Sequence, residues 1–170
     1  MIDLTNLKGT KQFQGDSWLY FPPKEYEALS DEHKAQLFYL DKDSTELVYS
    51  TVQNFDILCG DDDWGNKPFS AGCYEEVIKI ERWSGDEELK KWLYNCGVPF
   101  KSQVLIVPIF GTEDDCVVLS TWKMIAKYSD IFFSMDNKIV VDPQLKWCLH
   151  YHHDEIIHFA KGRDFTSSKR

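Results

Sequence analysis

Four of the chain's five histidines fall in one stretch, "WCLHYHHDEIIHFAKG", Trp147 to Gly162. Imidazole is the commonest protein ligand for zinc, copper and iron, and it changes charge close to neutral pH. The segment also reads as a β-hairpin, two alternating runs around a polar centre. If His153-Asp154 forms a two-residue turn, His152 faces Glu155, His150 faces Ile157, and Cys148 faces Phe159. On that register His150, His152 and Glu155 are neighbours, and two imidazoles with a carboxylate could hold zinc or iron with a position left open. Trp147, Leu149, Tyr151, Ile156 and His158 would fill the opposite, core-facing side. A three-residue turn changes the assignment, putting His150 near Ile156 and His158 near Cys148. The HxH spacing is not specific, and no second cluster completes a metal sphere. The favoured reading is a structural hairpin with hydrogen-bonded histidines, no metal and no cofactor; the metal-dependent enzyme is the alternative.

Other chemistry is thinner. In "DDDWGN", Asp61 and Asp63 alternate like calcium ligands. The glycine is misplaced, however, and Gly72 stands where a bidentate glutamate is needed, which rejects an EF-hand. No GxSxG, HExxH or phosphate-cradling glycine loop occurs. The five cysteines, Cys59, Cys73, Cys96, Cys116 and Cys148, are odd in number and form no CxxC pair. They read mostly as buried thiols, not as a disulfide framework. Trp64, set between Asp61, Asp62, Asp63 and "KPF", could be an apolar anchor ringed by carboxylates, or could fold back over the core. Glu113, Asp114 and Asp115 form a second acidic turn.

These residues must be carried by a scaffold. At 170 residues, 43% apolar and 15% aromatic, the chain has enough to bury for one domain. The expected unit is 1–165, with 166–170 a flexible tail. After "SWLYF", a strand, Pro22-Pro23 suits the first turn of a helix running to about Ala35. "QLFYLDKDSTELVYSTV" has the pattern of a hairpin with its connection at Asp41 to Thr45. "GDDDWGNKPFSAG" reads as an ordered surface loop and "YEEVIKIERW" as a strand. A helix follows, with a capping box of Ser84 and Glu87, a face of Leu89, Trp92, Leu93 and Cys96, and a stop at Gly97.

"SQVLIVPIF" and "CVVLS" read as strands joined by "GTEDD", with Pro108 placing the first at a sheet edge or a bend. "STWKMIAKYSDIFF" shows Trp122, Ile125, Ala126 and Ser129 on one helical face, capped by Ser120 or Thr121. "KIVVD" is one more strand. Strands cluster in hairpins and do not alternate strictly with helices. The expected fold is α+β, a single domain with a mostly antiparallel sheet built from hairpins and two or three helices packed against it.

Twenty-eight acidic residues against nineteen basic ones give a net charge of -9. Such a field repels nucleic-acid phosphates and favours a basic partner. The N-terminus lacks a signal-peptide pattern, and no apolar run approaches the roughly 20 residues that span a bilayer. The expected compartment is the cytoplasm, with no membrane contact and no direct nucleic-acid contact.

In the character of the whole chain, and in "STWKMIAKYSDIFF" to "WCLHYHHDEIIHFAKG", the sequence resembles the immunity proteins of bacterial contact-dependent growth inhibition and related polymorphic toxin systems. The resemblance implies a small acidic cytoplasmic protein, not an enzyme, that neutralises a paired toxin domain, often a nuclease. Complementary charge then offers Asp61, Asp62, Asp63, Trp64, Glu113, Asp114 and Asp115 as toxin-binding residues. A housekeeping binding domain is the remaining alternative.

Overall fold

A computed structural model describes residues 1–13, 21–54, 74, 76–109, 115–134 and 137–162. The expected α+β domain is what it contains: an eight-stranded sheet, every pairing antiparallel, with helices against it. In chain order the strands are β1 Gly9–Thr10, β2 Phe38–Leu40, β3 Glu76–Glu81, β4 Gln103–Pro108, β5 Val118–Thr121, β6 Lys138–Val141, β7 Trp147–His152 and β8 Ile156–Lys161. They lie side by side as β1-β2-β5-β4-β6-β7-β8-β3. Six α-helices are present among the described residues, more than the two or three expected: α1 Pro23–Glu27, α2 Asp31–Lys34, α3 Lys42–Asn54, α4 Asp86–Asn95, α5 Trp122–Lys127 and α6 Ser129–Phe132. None of them is long and apolar enough to cross a membrane.

Both faces of the sheet are covered. On the first, Val104, Ile106, Val118, Val140, Leu149, Tyr151, Ile157 and Phe159 pack with Leu89 and Leu93 of α4, Trp122 and Ile125 of α5 and Phe132 of α6. On the second, Leu105, Val107, Ile139, Val141, Cys148 and Ala160 pack with Val48 and Val52 of α3 and with Ile2 and Leu7 from the N-terminal stretch. Strands β4 and β6 are therefore buried along almost their whole length. Near-continuous apolar runs such as "QVLIVP" and "KIVV" follow from having two covered faces.

Several elements form as their sequences require. Thr121 ends β5 and caps α5, its side-chain oxygen accepting from the Met124 amide. Trp122, Ile125, Ala126 and Ser129 are all buried. Helix α4 ends with Gly97 just beyond Cys96, in the left-handed region at φ 78°. Its start differs by one residue from the expected capping box. Gly85 is the N-cap, and Glu88, not Glu87, accepts from both the amide and the hydroxyl of Ser84 at 2.7 Å.

Three other expectations need correction. The segment after β2 is not a second strand but α3. Asp41 caps it by accepting from the Ser44 amide at 2.9 Å, and Ser44, Thr45, Val48 and Val52 form its buried stripe. The β-branched residues in "LVYSTV" imitate strand composition, while the buried positions recur at helical spacing. The helix expected from Pro22-Pro23 to Ala35 is two short helices, because Ser30 restarts the chain by accepting from the His33 amide. Pro108 marks no edge. Its strand β4 lies between β5 and β6, and Pro108, which has no amide to donate, is the last residue of β4. Residues 17–20 of the expected first strand lie outside the described residues; Phe21 follows them, buried edge-on against Phe132.

Candidate functional site

Strands β7 and β8 sit between β6 and β3, so the histidine segment is a hairpin, though not in the expected register. Its turn has three residues, His153, Asp154 and Glu155, and His152 pairs with Ile156, Tyr151 with Ile157, His150 with His158 and Cys148 with Ala160. Glu155 does not face His152. It occupies the turn in the left-handed region at φ 59°, and its carbonyl accepts from the Arg82 amide at 3.0 Å. The extra turn residue moves β8 by one position, which exchanges its two faces. Ile157 and Phe159 consequently join Trp147, Leu149 and Tyr151 on the first face, and His158 lies with Cys148 and His150 on the second. Neither pairing derived from the sequence for His150 is realised.

His150, His152 and His158 form a cluster on that second face. The ring of His150 has its centroid 6.3 Å from that of His158 and 6.5 Å from that of His152. His150 and His158 are buried. Burial drives the pKa of His150 down to about 3, helped by the charges of His158 and His152. Burial likewise drives His158 down to about 4, with Lys79 adding to the effect and Glu81 opposing it. Both rings are neutral at physiological pH.

The hairpin tip has different chemistry. His153 is fixed from two directions by Asn137, whose side-chain oxygen accepts from the His153 amide at 2.7 Å and lies 2.9 Å from Nδ1. A carbonyl oxygen only accepts, so Nδ1 carries the proton and Nε2 carries the lone pair. That Nε2 is 3.7 Å from the Asp154 carboxylate. His152 points its Nδ1 at the same carboxylate, 3.4 Å away. The Asp154 amide donates to this Nδ1 at 3.2 Å, which makes it an unprotonated nitrogen. Burial lowers the pKa of His152, as does the charge of His153, while Asp154 acts in the other direction.

Ligand atoms of His152, His153 and Asp154 all lie within 4.8 Å of one another. The set expected from the sequence, His150, His152 and Glu155, is not the one the fold brings together. From sequence, His153 and Asp154 are expected in the turn and outside the ligand set. The adjacent "HHD" was the available signal, but the contribution of Asn137 arrives from 16 residues away and has no local signature.

Of the acidic candidates, Asp61, Asp62, Asp63, Trp64, Glu113 and Asp114 lie outside the described residues. Asp115 is half-buried beside Tyr49 of α3. Burial pushes the Tyr49 phenol well above its ordinary pKa, and the Asp115 charge pushes it further. Tyr49 donates its hydroxyl to the Pro108 carbonyl, tying α3 to the end of β4 where the 110–114 connection begins. Asn54, five residues on and about 7.5 Å along the helix axis, is where the 55–73 connection begins. The described flanks of the two acidic stretches are thus joined through one helix.

Free thiols among the described residues are Cys96 and Cys148, both buried, and Cys116, half-buried. Burial holds the Cys96 thiol far above the range in which it would be a nucleophile. Comparison with known proteins returned no matching family model, no matching curated protein and no matching solved structure.

Proposed function

We propose that this chain is a non-enzymatic immunity protein of the bacterial cytoplasm, which binds a cognate toxin domain and blocks a basic active-site cleft. The toxin class that fits best is a nuclease, because a catalytic groove for nucleic acid must itself be cationic. The observation carrying the proposal is a net charge of -9 on a domain whose sheet is covered on both faces by its own core. Such a body has its interior committed to packing and its surface available for electrostatic recognition. An anionic surface offered to a cationic cleft accelerates encounter and selects among partners.

The proposed contact set is Asp61, Asp62, Asp63 and Trp64 with Glu113, Asp114 and Asp115. The junction at Tyr49 supports treating the two stretches as one surface, since their described flanks attach to the same helix. Trp64 would supply the desolvated anchor and the carboxylates the steering field.

Co-expression with the C-terminal domain of a toxin encoded by the neighbouring gene tests the proposal. The pair should co-purify, and the chain should abolish toxin activity at equimolar ratio. Charge reversal across both stretches should slow association and flatten its dependence on salt. Unchanged association and salt dependence would exclude these stretches as the contact surface, and failure to bind or inhibit would remove the toxin reading.

A further inference from the structure

We propose that the tip of the β7–β8 hairpin is a binding site for a divalent transition-metal ion of the zinc type, with His152, His153 and Asp154 as ligands and Asn137 as the residue that orients His153. The proposal is independent of the toxin reading and concerns a different part of the molecule.

The first support is the protonation pattern. A metal needs a lone pair, and an imidazole offers one only at the nitrogen without a proton. Asn137 takes the proton-bearing Nδ1 of His153 at 2.9 Å and leaves Nε2 directed at Asp154. The Asp154 amide identifies Nδ1 of His152 as its lone-pair nitrogen, also directed at Asp154. Both tautomers are therefore set by neighbours before any ion arrives. A carboxamide holding the far nitrogen of a ligating histidine is the arrangement by which outer partners fix ring orientation in metal sites.

The second support is spacing. Tetrahedral zinc with bonds of about 2.0–2.1 Å places its ligand atoms roughly 3.3 Å apart. Asp154 Oδ2 is 3.4 Å from His152 Nδ1 and Asp154 Oδ1 is 3.7 Å from His153 Nε2, and one ligand atom from each of the three residues lies within 4.8 Å of the other two. Small rotations of exposed side chains would close these gaps. The ion would displace the 3.2 Å hydrogen bond from the Asp154 amide, a modest exchange where water can satisfy the amide.

Ligand chemistry selects the ion. Two imidazoles and one carboxylate suit zinc and its neighbours, whereas calcium and magnesium prefer oxygen shells. The side chains of His153 and Asp154 are 61% and 68% exposed, so an ion has a direct path. Three protein ligands leave room for water.

Isothermal titration of Zn²⁺ into the untagged full chain tests the site. One ion per chain should bind saturably, and His153→Ala or Asp154→Asn should weaken binding at least tenfold while circular dichroism shows the fold intact. Asn137→Ala should weaken it by about 10–100-fold, as loss of an outer partner does. His158→Gln, which alters the neighbouring imidazole cluster, should leave the affinity unchanged. Absence of saturable binding, or equal binding by wild type and both tip variants, would overturn the proposal. A thiolate charge-transfer band with Co²⁺ would do the same by placing the ion on cysteine.

Discussion

His150 stands directly across the β7–β8 ladder from His158, with ring centroids 6.3 Å apart and both side chains buried. Two imidazoles in that position stay neutral because protonating either would put a charge among apolar neighbours and beside the other. The fold therefore discriminates against protons that the unfolded chain would accept.

The consequence is acid lability with a defined window. In the unfolded chain both histidines titrate near 6.5, whereas in the folded protein His158 waits until about 4 and His150 until about 3. Between those limits the unfolded state binds more protons, so stability rises with pH and is lost as pH falls below about 6.5. Each residue contributes a slope approaching about 1.4 kcal/mol per pH unit within its own window. Urea unfolding across this range should show the decline, and His150→Leu should make it shallower by the equivalent of one proton. An unchanged slope in that variant would mean that other groups govern the transition.

How far the sequence revealed the fold depends on whether local pattern and tertiary position agree. At Trp122, Ile125, Ala126 and Ser129 helical spacing and burial coincide, and Thr121 supplies the cap. At α3 composition misleads: Thr45, Val48 and Val52 have strand-like side chains, and only their spacing and the Asp41 cap reveal a helix. In the histidine hairpin both strands were legible but the turn length was not. One extra residue, accommodated by the left-handed Glu155, exchanged the faces of β8. Alternation could not fix the register, because β7 and β8 are buried on both faces and neither run has a solvent side to orient it. The tip is hidden from sequence for another reason: Asn137, which orients His153, is distant in the chain.

Tyr49 offers a test of the junction between α3 and the sheet. Its hydroxyl donates to the Pro108 carbonyl at the end of β4. Tyr49→Phe keeps the ring packed and removes only the donor, leaving a carbonyl at the sheet boundary without this partner. The expected loss is about 1–2 kcal/mol, read from the urea midpoint at unchanged m-value. If the proposed acidic surface depends on this junction, the same variant should also slow association with the toxin domain.

Thr121 combines two roles in one side chain. It accepts from the Met124 amide to start α5, and it donates to the Gln36 side chain at 2.8 Å, tying the residues after α2 to the end of β5. Thr121→Ser keeps the hydroxyl and should be nearly neutral. Thr121→Ala removes both bonds and should cost about 1–2 kcal/mol. Equal stability of the two variants would show that the hydroxyl contributes little. A double-mutant cycle with Gln36→Ala would separate the tie from the cap.

Trp122 is where helix and sheet meet most closely. It is fully buried, edge-on to Trp147 with centroids 5.2 Å apart and 6.4 Å from the Phe159 ring. Trp122→Ala would remove a large apolar volume beneath α5, and the first face has rigid strands on one side that cannot collapse into the space. A loss of about 3–5 kcal/mol is expected, enough to consume much of the stability of a domain this size. Trp122→Phe should cost less, since it retains an aromatic edge against Trp147 and removes an indole N–H that has no hydrogen-bond partner among the described residues. Thermal unfolding of the two variants should rank them alanine below phenylalanine below wild type. If phenylalanine equalled or exceeded wild type, burial of the unsatisfied N–H would outweigh the packing of the larger ring.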